Sequence, residues 1–87
     1  MMSNTQPEQQ NSLNAAQLKA GQQGVIKSIQ GDDALRRRLN ALGMVKGTTM
    51  VVDHTAPLGD PRSYFVLGYR VCLRREEALQ IRVHSNI

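Results

Sequence analysis

Aromatic residues are scarce in this sequence. It has no tryptophan, two tyrosines and one phenylalanine. Small barrels that bind single-stranded nucleic acid usually stack bases on several exposed rings, and three aromatic residues leave little material for such a platform. The composition therefore weighs against a nucleic-acid-binding barrel, which stays an alternative on the grounds of charge considered below.

Cysteine and long apolar runs are almost absent as well. A lone cysteine, Cys72, excludes an internal disulfide. The longest wholly apolar run, Tyr64 to Leu67, is far shorter than the roughly 20 residues that span a bilayer. The amino end, MMSNTQPEQQNS, lacks the basic start and apolar stretch of a secretory signal. These features predict a cytoplasmic protein that does not span a membrane.

What the sequence does contain is typical of one small folded domain. It has 87 residues, of which 40% are hydrophobic and 21% are charged. The polar amino-terminal stretch predicts a disordered tail over residues 1–12, and the domain then covers residues 13–87. A chain of this size buries only about 60% of the surface of its unfolded state, so we expect no large enclosed active site.

The clearest predicted element is a helix in DDALRRRLNALG. Asp32 or Asp33 suits the cap at its start, and Gly43 suits the left-handed position that commonly follows the last turn. Three leucines spaced i, i+4 and i+7 form one apolar stripe: Leu35, Leu39 and Leu42. We therefore expect Leu39 and Leu42 to hold the helix against the rest of the domain.

Short β-branched or alternating runs make up most of the remaining sequence. They are GVIKSIQG, TTMVVDH, SYFVL, YRVCLR and IRVH, and short helical turns are predicted in NAAQLKAG and REEALQ. Short strands that close on themselves leave no open edges. The pattern predicts a mainly β fold, a small SH3-like barrel of about five short strands with one α-helix and one or two short helical turns. An OB-type barrel is the topological alternative.

A rigid loop, TAPLGDP, interrupts the strand pattern between Thr55 and Pro61. Pro57 and Pro61 fix backbone angles, Gly59 permits conformations closed to other residues, and Asp60 can bond to nearby backbone. A preformed loop binds a partner at a lower entropic cost. Leu58 is then either an apolar contact for another protein or a residue that closes the barrel, and the sequence favours neither.

Residues of the types that commonly coordinate metals are scattered along the sequence. His54, His84, Cys72, Asp53 and Asp60 show none of the spacings typical of a metal site, and we expect structural or surface roles for them. Cys72 has no accompanying base and is expected to be a small packed residue, while His84 is expected in a frayed end. No catalytic constellation, phosphate-binding loop or cofactor motif is present, so the sequence predicts no enzyme.

Basic charge is the one feature of the sequence that favours a nucleic-acid-binding function. The formal net charge is +4, and three consecutive arginines lie on the predicted helix: Arg36, Arg37 and Arg38. Consecutive residues splay by about 100° around a helix, so these three cannot form one flat row against phosphates. We expect a solvated helix face with Arg38 at its flank, although a protein partner or an anionic membrane surface could use the same charges.

Three motifs then follow one another along the chain. They are Arg38-Leu39 with Leu42-Gly43-Met44 and Gly47, the stretch Ala56 to Pro61, and Leu73-Arg74 with Glu77-Ala78 and Ile81. Between Leu13 and Val83 the sequence thereby resembles the FeoA family, small cytoplasmic components of bacterial ferrous iron uptake. It departs from the family in Lys46, where many relatives have proline, and in its amino-terminal tail.

The resemblance implies an SH3-like barrel and a specific partner. FeoA proteins are associated with FeoB, a membrane permease whose cytoplasmic part includes a GTP-hydrolysing domain, and related domains occur as accessory modules of metal-dependent repressors. The predicted function is therefore that of a noncatalytic accessory that docks on a FeoB-like permease and affects its assembly or activity. A nucleic-acid-binding barrel or a repressor-type regulatory module is the alternative. The candidate partner-binding residues are Pro57, Leu58, Gly59, Asp60, Arg36 and Arg37.

Overall fold

One strongly curved antiparallel sheet dominates the fold. The computed structural model describes residues 12–53 and 60–85. The strands in these residues are β1 (Ser12–Asn14), β2 (Gln23–Ile29), β3 (Thr49–Val52), β4 (Arg62–Val66), β5 (Tyr69–Leu73) and β6 (Ile81–Ser85). They pair in the order β1-β6-β2-β3-β4-β5 in a 6-stranded sheet.

Two helices and a 3₁₀ turn connect the strands. The 3₁₀ turn (Ala15–Gln17) follows β1, α1 (Asp33–Ala41) lies between β2 and β3, and the short α2 (Arg75–Ala78) lies between β5 and β6. No helix in the described parts of the chain is long and apolar enough to cross a membrane.

Both ends of α1 follow from its sequence. The Asp32 side chain accepts a hydrogen bond from the backbone N–H of Leu35 at 2.8 Å, which caps the start of the helix. At the other end Gly43 has a φ of 91°, and the backbone N–H of Met44 donates to the carbonyl of Leu39 at 3.0 Å. This is the Schellman arrangement, which only a residue tolerant of positive φ completes without strain.

The core lies between the strands and α1. Alternate residues of each strand point into it, and its fully buried members include Ile26, Leu39, Met44, Met50, Tyr64, Val66, Leu73, Ile81 and Val83. Leu39 has no exposed surface, and Leu35 and Leu42 pack against the core from its margin. The predicted leucine stripe is therefore confirmed, with Leu39 at its centre.

Polar contacts from β4 bring the two ends of the sheet together. The Tyr64 hydroxyl donates to the carbonyl of Ala15 at 3.0 Å, and the Arg62 guanidinium donates to the carbonyls of Ala16 and Leu18 at 2.8 and 2.7 Å. The turn after β1 is thus held against β4, at the opposite side of the sheet order. The predicted SH3-like architecture is confirmed.

The predicted strand count missed β1. Its three residues pair with β6, placing Ser12 opposite His84 and Asn14 opposite Arg82. SLN carries no β-branched or alternating signal, so long-range pairing rather than local propensity makes it a strand. The expectation that His84 lies in a frayed end is wrong, since it is half-buried between β1 and β2.

Candidate partner-binding surface

The proline loop is described only where it ends. Pro57, Leu58 and Gly59 lie outside the described residues, so their predicted contact role stays a prediction. Asp60 is exposed, and its carboxylate accepts a hydrogen bond from the backbone N–H of Arg75 at 2.9 Å. The loop therefore returns to the barrel by capping the first turn of α2, a more distant partner than the local backbone predicted for Asp60.

Glu77 joins α2 to α1. One of its oxygens accepts from the backbone N–H of Arg74 at 2.9 Å, and the other forms an ion pair with Arg38. The Glu77 side chain is 19% exposed and that of Arg38 is 52% exposed, so the carboxylate is the shielded partner of this pair. The segment after β5 thus holds both the end of the loop and the flank of the helix.

The three consecutive arginines have three different surroundings. Arg36 pairs with Asp33 and donates to the carbonyl of Gly31 at 2.9 Å. Arg38 reaches Glu77, while the side chain of Arg37 is exposed and makes no hydrogen bond or ion pair with the described residues. They form no continuous row, as their helical spacing predicts. Nor does a hydrogen bond or ion pair within residues 12–53 and 60–85 join Asp60 to Arg36 or Arg37.

The candidate metal ligands among the described residues do not form a cluster. Residues 12–53 and 60–85 contain no group of three His, Cys, Asp or Glu side chains arranged to hold a metal ion. Asp53 is buried and forms an ion pair with Arg70 at 3.2 Å. Cys72 is exposed on β5, 3.5 Å from the Ser63 hydroxyl, so its predicted packed position is wrong. His54 lies outside the described residues.

Each of the three aromatic residues has a contact within the fold. Tyr64 has no exposed surface, and burial raises the pKa of its hydroxyl despite the opposing influence of Arg62. The Tyr69 hydroxyl donates to the carbonyl of Leu42 at the end of α1. Phe65 is 39% exposed, but the Arg70 guanidinium lies over its ring at 5.4 Å. This placement weighs further against the nucleic-acid alternative.

An apolar tip, formed by Val45, Leu67 and Tyr69, was missed by the sequence analysis. Leu67 is 68% exposed, Val45 43% and Tyr69 40%. Leu67 and Tyr69 flank Gly43, because a Cβ built on Gly43 would overlap Cδ1 of Leu67 and lie 3.6 Å from the Tyr69 hydroxyl. Val45 belongs to the same turn, since its N–H donates to the carbonyl of Gly43 at 3.1 Å.

Leu67 occupies an unfavourable backbone conformation. With Gly68 it connects β4 to β5, and the two residues have φ values of 53° and 85°. Positive φ at both positions is the mark of a type I′ hairpin turn, for which Asn-Gly is strongly preferred. Leu67 is the one described non-glycine residue with positive φ. A leucine in a turn that favours asparagine was the sequence signal that could have drawn attention to the tip.

These features define a small SH3-like domain, with a core of buried apolar side chains and an exposed apolar tip. The chain belongs to the FeoA domain family, whose model matches residues 13–85. The predicted family resemblance is therefore confirmed over nearly all of the described structure.

Sequence and structure comparisons give consistent relatives. The chain is 39% identical to the Fe(2+) transport protein A/Fe(2+) transporter FeoB fusion protein of Porphyromonas gingivalis, covering 82% of this chain but only 8% of that much longer protein. It is also 39% identical to the FeoA protein of Chlorobium tepidum, with a TM-score of 0.78, covering 86% of this chain and 71% of that one.

A third relative bears on the fold. The zinc-complexed FeoA of Stenotrophomonas maltophilia, described as a prokaryotic SH3 domain protein, is 32% identical and has a TM-score of 0.72. The match covers 82% of this chain and 88% of that one. The SH3-like class predicted from the strand pattern thus agrees with a solved structure in the same family.

Proposed function

We propose that this chain is a noncatalytic accessory protein that docks on the cytoplasmic part of a FeoB-like ferrous iron permease and affects its assembly or activity. The observation that carries the proposal is the relative in which a homologous segment and a FeoB transporter form one chain. Covalent linkage keeps two modules at a high effective concentration, an arrangement that favours modules acting in contact.

The fold is suited to such a role. Its core consists of buried apolar side chains, and a domain of this size buries too little surface for a large enclosed site. The exposed apolar tip, the exposed Arg37 and the loop that ends at Asp60 are surfaces available to a protein partner. The proposal places the protein in the cytoplasm, with membrane association through its partner. The predicted contact roles of Pro57, Leu58, Gly59, Asp60, Arg36 and Arg37 form part of it.

Co-purification tests the proposal. The cognate permease, tagged and solubilised in mild detergent, is isolated from cells that also express this chain, with GTP, GDP or no nucleotide and with or without ferrous iron. We expect the chain to be retained with the permease in at least one of these conditions. An unrelated membrane protein with the same tag is the control, and failure of retention under every condition would contradict the proposal.

A further inference from the structure

Leu67 has no sufficient explanation within the folded chain. Its side chain is 68% exposed, so most of its apolar surface makes no intramolecular contact. Its φ of 53° lies in the left-handed region, which is unfavourable for leucine and readily adopted by glycine or asparagine. Strained residues that persist without an internal benefit are found preferentially at functional sites. The tip therefore combines an energetic cost to the fold with an apolar group presented to solvent.

The surroundings hold Leu67 in one place. Gly43 lacks a side chain where Cδ1 of Leu67 lies, and its own φ of 91° requires glycine for the end of α1. The Tyr69 hydroxyl bonds to the carbonyl of Leu42 and fixes the ring beside them. The Thr48 hydroxyl donates to the Gly43 carbonyl at 3.0 Å, which braces the turn that carries Val45. The apolar tip is a preorganised surface, so little ordering is needed when it binds.

The charged residues of the two segments that build the tip are all basic. The two segments that build it, 37–49 and 62–73, contain no Asp or Glu, and their basic residues are Arg37, Arg38, Lys46, Arg62 and Arg70. Three of these are engaged elsewhere: Arg38 with Glu77, Arg62 with backbone carbonyls, and Arg70 with Asp53. Lys46, beside Val45, is exposed and has no ion pair with the described residues.

We infer that the apolar tip is the main apolar contact within the docking surface for the permease, and that it receives a segment of the cytoplasmic part that carries apolar side chains flanked by carboxylates. This inference rests on the proposed function and adds the contact surface and the chemistry of its occupant. Apolar contact with Leu67, Val45 and Tyr69 supplies most of the binding free energy, because a few central apolar residues usually dominate an interface. Lys46 at the rim contributes to association rate and salt dependence.

A single substitution separates binding from folding. Leu67→Asn turns Leu67-Gly68 into the preferred Asn-Gly turn, so we expect an unchanged or higher melting temperature. Burial of a leucine at an interface corresponds to about ten- to hundredfold in affinity, and we expect the variant to bind the solubilised permease more weakly by about that factor. Leu79→Asn is the matched control, since Leu79 is 40% exposed in the turn before β6 and outside the tip. It should bind as the wild type does.

The outcomes separate this inference from the function on which it rests. If wild-type protein does not bind the permease, the proposed function fails. If it binds and Leu67→Asn binds equally well, the permease contact lies elsewhere and the tip is wrongly assigned. Concentration-dependent self-association that Leu67→Asn abolishes, without an effect on permease binding, would make a second copy of this chain the occupant and overturn the inference. Lys46→Glu should weaken binding and reduce its dependence on salt, and an unchanged salt dependence would contradict the acidic character of the occupant.

Discussion

Replacement of Leu39 by alanine should destabilise the domain severely. Leu39 has no exposed surface and lies at the centre of the α1 stripe. Leucine-to-alanine changes at buried sites cost about 2 to 5 kcal/mol, because transfer free energy is lost and a cavity remains. A domain of 87 residues has a total stability of roughly 4 to 13 kcal/mol, at about 0.05 to 0.15 kcal/mol per residue. The variant should therefore lose a large share of its stability.

Urea denaturation, monitored by far-ultraviolet circular dichroism, measures this loss in the free energy of unfolding directly. For a domain of this size each 1 kcal/mol lowers the melting temperature by about 4 to 8 °C, so a fall of at least about 8 °C should accompany Leu39→Ala. Leu42→Ala should cost less, because Leu42 is only partly buried. Arg37→Ala, on the exposed face of the same helix, should change stability by no more than about 0.5 kcal/mol. A Leu39→Ala variant as stable as Arg37→Ala would refute the packing of α1 on the sheet.

Four further predictions follow from particular residues. Burial raises the Tyr64 pKa above its ordinary 10.0. The neutral hydroxyl therefore contributes its full stability below about pH 10, and this contribution is lost as pH rises through the folded pKa. Tyr64→Phe should abolish this alkaline loss in melting curves. Gly43→Ala and Gly47→Ala should each cost about 1 to 2 kcal/mol because both φ values are positive. Only the Gly43 change, by displacing Leu67, should also weaken permease binding in a pull-down. Leu58→Ser should weaken permease co-purification without lowering the melting temperature if the proline loop is a contact, whereas unfolding would show that the loop closes the barrel. Anaerobic titration should find no tight stoichiometric ferrous iron site, and one that is lost on mutation of a histidine or cysteine would contradict the predicted absence of metal binding.

Local signals predicted the elements that are stabilised locally. The cap at Asp32, the leucine spacing and Gly43 determine both ends and the buried face of α1, and all of these are encoded within one short stretch. The β4–β5 hairpin was predicted from Gly68 for the same reason. Its inward residues, Val71 and Leu73, are buried as their alternation predicts.

Features that depend on distant contacts were not predictable in this way. The strand β1 exists because it pairs with β6 at the far end of the chain. The packing of Leu67 over Gly43 requires the hairpin tip to meet the end of α1, and no local pattern specifies that meeting. Asp53, for which we expected a structural or surface role, is buried and paired with Arg70, and no local pattern specifies that partner. Candidate sites based on loop chemistry alone therefore missed the apolar tip.

Direct titration of the permease would test the central claim most sharply. Cys72 is the sole cysteine and is exposed on β5, so it accepts one fluorescent label. Fluorescence anisotropy of the labelled chain is measured against permease in lipid nanodiscs, with empty nanodiscs and an excess of unlabelled chain as controls. Docking on the permease predicts a saturable rise in anisotropy that unlabelled chain reverses and empty nanodiscs do not produce. An unchanged anisotropy in every nucleotide state, or an equal rise with empty nanodiscs, would contradict it.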